Sequence, residues 1–483
     1  MFGKGRDTLL LSELIKEWPC TLLQGSIRQT VGGITENSKR VQKDFVFVAR
    51  KGALCDGLEF IEEAIVKGAT TIVLDRVNAD LHIPAGVTVV VVPDSSLFIS
   101  FASAKLAGNP ASELTVIAVT GTNGKTTVSH FIGQLLAAQG VKAAVIGTTG
   151  IYIDGILTGT PDDSLTTMPA EQLHPLLRTC IEQQVTHVIL EASSIGLSSN
   201  RLAHCSITIG ILLNIGIDHY AEHGGKQAYI DAKKRLVSLA ERLVVNESDP
   251  VCAEMSREAA GTVLYFNETH INSTLTTING FKVNVPGLHN EMNARAAVCA
   301  MQAAGFSFED AVLNLAVLKL PEGRLEKYSQ RGVDVFVDYA HTPDALRAVL
   351  ETLSEDGARR VVTVFGCGGD RDHEKRPQMG AVAAQHSAHV ILTSDNPRSE
   401  EPSSIITDIL AGTTGFTVPV DVLLDRKLAI RYAIRQAGQG DIVLIAGKGH
   451  EKTQQIGSRI ESFCDMNEVQ SAFAEEDKVN LES

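Results

Sequence analysis

A short glycine loop between an apolar run and a helical pattern constrains the fold of this chain more than any other segment. The loop residues are Gly121, Thr122, Asn123, Gly124, Lys125, Thr126 and Thr127. The apolar run over 114–119 predicts a buried strand, and residues 128–139 carry their large apolar side chains on one helical face. Strand, glycine loop, Lys-Thr and helix together are typical of a phosphate-binding loop. Val119 stands where the longer form of this motif has its first glycine, so we interpret the loop as a shortened variant.

The residue types in this loop suit a nucleoside triphosphate. Glycines let backbone N–H groups turn toward an anion, and the following helix N-terminus adds about half a positive charge. The Lys125 ammonium can neutralise β- and γ-phosphate oxygens, and the Thr126 hydroxyl can hold Mg²⁺.

Length and composition bound the class of protein. With 483 residues, of which 44% are hydrophobic, the chain is long enough for two to four domains. A net charge of −14 argues against nucleic acid or an anionic membrane as a partner. Eight cysteines without a Cys-x-x-Cys pair favour a reducing cytosol over a structural zinc site. The sequence has no apolar run of membrane-spanning length, so we expect a cytoplasmic protein without membrane insertion.

Alternating strand and helix patterns predict an α/β fold with domains over residues 1–110, 111–326 and 327–483. The expected strands cover 70–74, 87–92, 114–119, 141–146, 186–190, 207–213, 333–337, 360–365, 389–393 and 441–446. The expected helices cover 58–69, 95–106, 128–139, 226–240 and 292–304, with another starting at Pro343 and a hairpin over 276–285. Gly108-Asn109-Pro110 is typical of a linker, and we expect the acidic tail after Ala474 to fray.

Polar residues follow most strands of the second and third domains. These groups occupy 147–149, 191–194, 214, 218–219, 338–341, 366–371, 395–398 and 447–451. Because ligands of open α/β sheets bind outside the carboxyl ends of the strands, we expect these groups to converge on the glycine loop or on a second site.

Two of these residues are candidate metal ligands. Glu191 directly follows an apolar strand, where a carboxylate can bind Mg²⁺ beside a triphosphate, although an exposed carboxylate would give the same pattern. His219 follows Asp218 after another strand, and both a structural hydrogen-bonding role and a metal-binding role remain open.

Lys233 is the most informative single residue of the second domain. In the predicted helix it shares a face with Tyr229, Leu236 and Ala240, where a charged side chain is costly. A desolvated lysine has a lowered pKa and is nucleophilic, so CO₂ could convert it to a carbamate that binds a second Mg²⁺. Neighbouring Lys234 is the alternative buried lysine.

Two arginines and a carboxylate in the third domain predict an amino-acid pocket. Arg371 and Arg398 can bind carboxylates in a bidentate manner, and Glu451 can receive an ammonium group. Interdomain salt bridges would explain the same residues.

Together these motifs resemble the Mur ligases of peptidoglycan synthesis along nearly the whole chain. The matching motifs are Gly121–Thr127, Glu191-Ala-Ser-Ser, Asp218-His219, Tyr229-x-x-x-Lys233, Asn290-x-x-Asn293, Glu322-Gly-Arg324, Asp338-Tyr-Ala-His341-Thr-Pro and Gly447-Lys-Gly-His-Glu451. Asp395-Asn396-Pro397-Arg398 looks like the signature of family members that add meso-diaminopimelate, since lysine-adding relatives usually lack that arginine. The resemblance implies a UDP-binding domain, a central ATPase domain with a mainly parallel sheet, and a Rossmann-like domain that binds the amino acid.

The same resemblance implies a role for each matching residue. ATP would meet the loop residues, with Asn290 at the adenine and Arg324 and Asp338 as further contacts. Thr126, Glu191, His219 and the carbamate of Lys233 would bind Mg²⁺, and Lys125, Lys233 and His219 would act in catalysis. UDP-N-acetylmuramoyl-L-alanyl-D-glutamate would contact Ser38, Thr166, Thr167, Ser193 and Arg201. Diaminopimelate would contact Arg371, Asp395, Asn396, Pro397, Arg398, Gly447 and Glu451.

These roles imply ligation through an acyl phosphate by a chain that we expect to be a monomer. The chain departs from the family pattern at 36–39, Met168, Ile195, Ser199 and 217–220, mainly near the expected nucleotide-sugar contacts. A folylpolyglutamate synthetase-like ligase is the nearest alternative, but it resembles only the later two domains. A phosphate-loop nucleotide switch would leave Lys233 and the amino-acid pocket without a purpose.

Overall fold

Three large sheets follow one another along the chain. The computed structural model describes residues 9–52, 55–77, 82–160, 165–271, 283–355 and 359–482. Within them the sheets are built from residues 21–91, 115–266 and 326–446, and helices flank each sheet. Most neighbouring strands are parallel, as alternation of strands and helices requires. The predicted α/β class is therefore confirmed, whereas the domain boundaries remain predictions.

The N-terminal sheet has the order β2-β7-β6-β5-β4, with β2 antiparallel to its neighbour. The elements are β1 Leu9–Leu10, α1 Leu11–Leu14, β2 Thr21–Gln24, β3 Thr30–Val31, β4 Gly33–Thr35, β5 Phe45–Ala49, α2 Ile61–Val66, β6 Ala69–Leu74, β7 Thr88–Val91 and α3 Ser95–Leu106. Asp94 caps α3 by accepting from the N–H groups of Ser96 and Leu97, so this predicted helix start is confirmed. The helix predicted over 58–69 is wrong in its first turn. Asp56 accepts from the N–H of Leu58 and starts a 3₁₀ helix over Gly57–Phe60 instead.

The middle sheet has the order β11-β10-β9-β12-β8-β13-β14-β15, so the strand before the glycine loop lies near its centre. The elements are β8 Thr115–Thr120, α4 Lys125–Ala138, β9 Ala143–Gly147, β10 Gly150–Ile153, β11 Ile156–Gly159, α5 Ala170–Glu182, β12 His187–Glu191, α6 Ser194–Ser198, β13 Ile207–Leu212, α7 Tyr220–His223, α8 Lys226–Leu239, β14 Ala240–Asn246, α9 Pro250–Ser256, β15 Thr262–Phe266, α10 Leu288–Ala303 and α11 Phe308–Leu313. The four predicted strands are confirmed. Ala240 begins β14 rather than ending the helix. Most of the hairpin predicted over 276–285 lies outside the described residues.

The C-terminal sheet has the order β16-β17-β21-β18-β19-β20, with only β16 antiparallel to its neighbour. The elements are β16 Glu326–Gln330, β17 Val333–Asp338, α12 Pro343–Ser354, β18 Val361–Phe365, α13 Lys375–His386, β19 His389–Leu392, α14 Pro402–Thr413, β20 Val420–Val422, α15 Arg426–Gln436, β21 Ile442–Ala446, β22 Thr453–Ile456, β23 Arg459–Ser462 and α16 Asp465–Glu482. The predicted strands and the helix start at Pro343 are confirmed. The acidic tail after Ala474 continues α16 as far as Glu482, and Val469 and Phe473 in the earlier turns of this helix pack in the core. Fraying of the tail remains a prediction.

The phosphate loop side of the middle sheet meets the C-terminal sheet through direct side-chain contacts. The Thr342 hydroxyl, after β17, donates to Asn123 Oδ1 in the glycine loop at 3.0 Å. Polar residues that follow strands of two different sheets thereby face one cleft. Among the described residues, the helices are too short or too polar to cross a membrane.

Candidate active site

The glycine loop is folded tightly between β8 and α4. Gly124 has φ +89°, and a Cβ at this position would lie 2.5 Å from Asn293 Oδ1 on α10. Glycine is therefore required both by conformation and by close packing. The Lys125 Nζ donates to the carbonyls of Gly121 at 2.8 Å and Thr122 at 3.0 Å. Burial lowers the pKa of Lys125, which shows how strongly this ammonium is desolvated.

A cavity of about 470 Å³ lies in front of this loop, between the middle and C-terminal sheets. The predicted site residues that line it are Thr122, Asn123, Gly124, Lys125, Thr126, Thr127, Thr166, Glu191, Ser193, His219, Lys233, Asn290, Arg324 and Asp338. The structure thus brings together the residues expected for the triphosphate, for the metal and for part of the nucleotide sugar.

Glu191 is a buried carboxylate in direct contact with the loop. It is 1% exposed and accepts hydrogen bonds from the Thr126 hydroxyl at 3.0 Å and the Thr148 hydroxyl at 2.9 Å. The alternative of an exposed carboxylate at the strand end is therefore wrong. Carboxylate and hydroxyl oxygens suit Mg²⁺, which keeps several waters and phosphate oxygens among its ligands. Among the described residues, no three His, Cys, Asp or Glu side chains group closely enough to hold a metal by themselves.

Lys233, not Lys234, is the buried lysine of α8. Its side chain is 1% exposed, and its Nζ donates to the Gly121 carbonyl at 2.9 Å and lies 4.8 Å from the Tyr229 ring centre. Burial, reinforced by the nearby Lys125 charge, holds the pKa of Lys233 well below its ordinary value. Lys234 pairs with Glu258 at the surface instead. The chemistry of Lys233 fits carbamate formation, because CO₂ reacts with the neutral amine.

His219 lines the cavity while contacting two carboxylates. Its ring nitrogens lie 2.9 Å from Glu222 and 3.3 Å from Asp218. Its backbone has φ +57°, a left-handed conformation that is uncommon for histidine. Both the structural and the metal-binding interpretations of His219 remain predictions.

Asp338 organises the turn that carries Arg324. Its carboxylate accepts from the N–H groups of Leu325 and Ala340, each at 2.7 Å, and burial raises the pKa of this group. The Arg324 guanidinium stacks over the Tyr339 ring at 4.4 Å and reaches the Thr126 hydroxyl at 3.2 Å. Arg324 thus extends from the C-terminal side of the cleft to the phosphate loop.

The residues predicted for the nucleotide sugar fall into separate places. Thr166 and Ser193 line the cavity, whereas Ser38 donates to Glu63 at 2.6 Å within the N-terminal sheet region. Arg201 donates to the Thr167 carbonyl at 2.7 Å and lines a second, much smaller cavity. The structure therefore does not bring Ser38 and Arg201 into the main cavity.

The residues predicted for the amino acid form their own cluster at the carboxyl ends of β18, β19 and β21, and they do not line the main cavity. Asn396 Nδ2 donates to Glu451 at 2.8 Å, and Lys448 Nζ donates to the same carboxylate at 2.7 Å. Glu451 is thus already paired with a lysine. Arg398 Nη1 donates to the Gly369 carbonyl at 2.7 Å. Burial, assisted by the neighbouring Arg371 charge, lowers the pKa of Arg398.

Three further residues predicted for the amino acid, Gly447, Pro397 and Arg371, differ in how closely they are packed. Gly447, with φ +112°, approaches Asp395 so closely that a Cβ would lie 2.7 Å from the carboxylate. The Pro397 carbonyl would lie 1.8 Å from a Cβ added at Gly369, so the two loops touch through their backbones. Arg371 is 43% exposed and lies 3.9 Å from Glu222 across the cleft.

Two contacts in the cleft are not predicted by any motif in the sequence. Thr148 supplies both its hydroxyl and its N–H to Glu191, although only its place after β9 marked it as polar. Lys375 donates to Asp218 from the first turn of α13, where no motif distinguishes it. Such long-range pairs leave no periodic pattern in the sequence.

Comparison with known proteins agrees with this arrangement. Residues 119–301 match the Mur ligase middle domain, and residues 323–449 match the Mur ligase glutamate ligase domain. The chain belongs to the Mur ligase family. The predicted resemblance is therefore confirmed. The first matched region contains the phosphate loop, and the second contains the amino-acid cluster except Glu451.

Two curated Mur ligases resemble this chain over most of its length. A UDP-N-acetylmuramoyl-L-alanyl-D-glutamate–2,6-diaminopimelate ligase of Caldanaerobacter subterraneus subsp. tengcongensis is 34% identical, covering 94% of this chain and 97% of the relative. An Agrobacterium fabrum protein of the same name is 37% identical, covering 92% and 94%. A solved structure with this ligase name superposes with a TM-score of 0.64 at 33% identity, covering 97% of this chain and 99% of that one.

A more distant structure shares the fold alone. Mycobacterium tuberculosis folylpolyglutamate synthase superposes with a TM-score of 0.60 at 18% identity, covering 73% of this Mur ligase chain and 92% of its own.

Proposed function

We propose that this Mur ligase uses ATP to join meso-diaminopimelate to UDP-N-acetylmuramoyl-L-alanyl-D-glutamate. The observation that supports the proposal is that two predicted sites lie on two different sheets, which are connected by the hydrogen bond from Thr342 to Asn123. One is the phosphate loop with Glu191 and Lys233, and the other is the amino-acid cluster with Arg398. The names of the full-length relatives support the choice of substrates.

In the proposed reaction, the γ-phosphoryl group of ATP passes to the D-glutamyl side-chain carboxylate and forms an acyl phosphate. The amine of diaminopimelate then attacks the acyl carbon, loses a proton, and expels inorganic phosphate. Lys125 and Arg324 lie where they can neutralise the phosphate oxygens during transfer. Diaminopimelate carries two carboxylates, and the Arg398 guanidinium is suited to bind one of them.

Mg²⁺ would be held by Thr126 and Glu191, with His219 and a Lys233 carbamate as further ligands. When bound, the metal supplies charge neutralisation at the transferring phosphoryl group. The buried hydroxyl–carboxylate pair and the desolvated amine fit these roles. The protein itself contributes positioning, since the two reactants are held by different sheets.

The test is ATP-dependent phosphate release in the presence of UDP-N-acetylmuramoyl-L-alanyl-D-glutamate, with meso-diaminopimelate or L-lysine added in turn. We expect phosphate release and amide product with diaminopimelate only. Turnover with lysine alone would retain the ligase and remove the proposed amino-acid choice. If the protein binds ATP but releases no phosphate with either amino acid, the proposal is overturned.

A further inference from the structure

The hairpin β22–β23 holds the backbone of Arg398 from both sides. The Arg398 N–H donates to the Gln455 carbonyl at 3.2 Å, and the Gly457 N–H donates to the Arg398 carbonyl at 2.6 Å. Arg398 has φ +53°, a left-handed conformation that is uncommon for a side chain of this size. Such a conformation persists only where the surroundings enforce it. Here the two hairpin contacts provide that enforcement.

The same hairpin also contacts three residues that precede Arg398 in the 394–398 loop. Gln454 is 8% exposed, and its Nε2 donates to the Asp395 carbonyl at 2.7 Å and more weakly to the Ser394 carbonyl at 3.4 Å. The Gln455 N–H donates to Asn396 Oδ1 at 3.0 Å. On the hairpin side of these contacts, the Gln454 amide is the side-chain group, so a conventional substitution in the hairpin can remove its contacts.

In the 394–398 loop, the Asn396 side chain is held by hydrogen bonds within the protein, whereas the Arg398 guanidinium keeps donors for a ligand. Asn396 Oδ1 also accepts from Lys448 Nζ at 3.1 Å, and its Nδ2 donates to Glu451, so this amide belongs to the framework. The bond from Arg398 Nη1 to the Gly369 carbonyl uses one of the five guanidinium N–H groups. The orientation of the Arg398 guanidinium therefore depends on the backbone position that the hairpin imposes on Arg398.

We propose that Gln454 is a positioning residue for amino-acid binding, acting through the backbone of the 394–398 loop on Arg398. The inference rests on the proposed function, because it takes the carboxylate of diaminopimelate as the group that Arg398 binds. Without the Gln454 amide, two buried carbonyls lose a donor, and the Ser394–Asp395 backbone that leads into Arg398 shifts against the hairpin. The guanidinium then shifts, and a bidentate contact tolerates little displacement.

The experiment compares Gln454→Met with Gln455→Met. Methionine matches the length of glutamine but cannot donate a hydrogen bond. The Gln455 side-chain amide donates to the Gly457 carbonyl in the hairpin turn, at 3.3 Å, which is its one side-chain hydrogen bond among the described residues. Its replacement therefore leaves the backbone contacts in place. We expect Gln454→Met to lower kcat/KM for diaminopimelate by about tenfold or more, chiefly through KM. The KM values for ATP and the nucleotide sugar should stay within about twofold, as should all constants of Gln455→Met.

A double-mutant cycle separates positioning from general damage. If Gln454 acts through Arg398, then Gln454→Met combined with Arg398→Met loses no more activity than Arg398→Met alone. Fully additive losses would overturn the inference, as would Gln454→Met behaving like Gln455→Met. If Gln454→Met does not fold, Gln454→Asn, which keeps the amide but withdraws it by one methylene, is compared in the same cycle. A wild-type chain inactive with diaminopimelate would instead overturn the proposed function together with this inference.

Discussion

The Asp218 carboxylate accepts a hydrogen bond from the Lys375 ammonium, with 2.9 Å between Oδ1 and Nζ. Both side chains are 6% exposed, and they join the loop after β13 to the first turn of α13. Burial opposes ionisation of Asp218, yet the Lys375 charge holds the pKa of this carboxyl well below its usual range. The pair is thus a desolvated ionic link between the middle and C-terminal sheets.

Removing one partner of this link should open the cleft. We expect Lys375→Met to leave the buried Asp218 carboxylate without its ammonium partner, with the His219 and His341 rings as its remaining neighbours. Removing one partner of a buried ion pair costs about 3–5 kcal/mol in comparable cases. Part of that cost can be relieved if the C-terminal sheet moves away, so kcat should fall and the radius of gyration should rise. Small-angle scattering and steady-state kinetics measure both. The control is Lys427→Met, which removes a more exposed pair with Glu468. An unchanged radius with normal kcat would contradict the prediction.

Lys233→Ala should abolish turnover while leaving the fold and ATP binding near normal. The substitution removes the desolvated amine that the carbamate hypothesis requires, but it leaves the phosphate loop backbone intact. Circular dichroism, nucleotide titration and phosphate release would be measured together. Lys234→Ala is the matched control, since that lysine is only paired with Glu258 at the surface. Full activity of Lys233→Ala would remove the carbamate hypothesis.

Arg398→Lys should raise the KM for diaminopimelate by about tenfold or more, because an ammonium cannot reproduce the two parallel hydrogen bonds of a guanidinium. The KM for ATP should not change, since the phosphate loop lies on the other sheet. Arg459→Lys on β23 is the control, because that side chain is 80% exposed. Unchanged kinetics in Arg398→Lys would show that Arg398 has a structural role only.

The sequence predicts those features of the structure that are determined by residues close together in the chain. The glycine loop, the strands that precede the polar groups and the burial of Lys233 follow from spacing along one element. The first turn of the helix predicted over 58–69 depended on the competing cap by Asp56, which periodicity does not reveal. The burial of Val469 and Phe473 on α16 depends on core contacts with distant elements.

The parts of the site that were not predicted depend on residues far apart in the chain. Asp218 and Lys375 are 157 residues apart, and Gln454 lies 59 residues from the Asp395 carbonyl that it contacts. The family resemblance implies a nucleotide-sugar contact for Ser38, which stays a prediction; in this structure the Ser38 hydroxyl donates to Glu63. Tertiary packing determines which distant side chains pair. The periodic patterns of a single sequence report local structure and do not reveal such pairs.

His174 should make the fold sensitive to acid. It lies on α5, which packs against α3, and it is fully buried; neither ring nitrogen has a hydrogen-bond partner among the described residues. Burial, assisted by the nearby His204, lowers the pKa of His174 from 6.5 to about 4. The unfolded chain therefore binds a proton on this residue more tightly than the folded chain does.

It follows that the contribution of His174 to stability is complete above pH 6.5 and is lost as the pH falls toward 4. The loss amounts to about 3 kcal/mol at pH 4. We expect His174→Leu to remove this part of the pH dependence, because leucine keeps an apolar side chain and forfeits no hydrogen bond. Urea unfolding between pH 4 and 7 measures it, with His82→Leu at an exposed position as the control. If His174→Leu and wild type lose equal stability over this range, the buried imidazole is not the source of acid sensitivity.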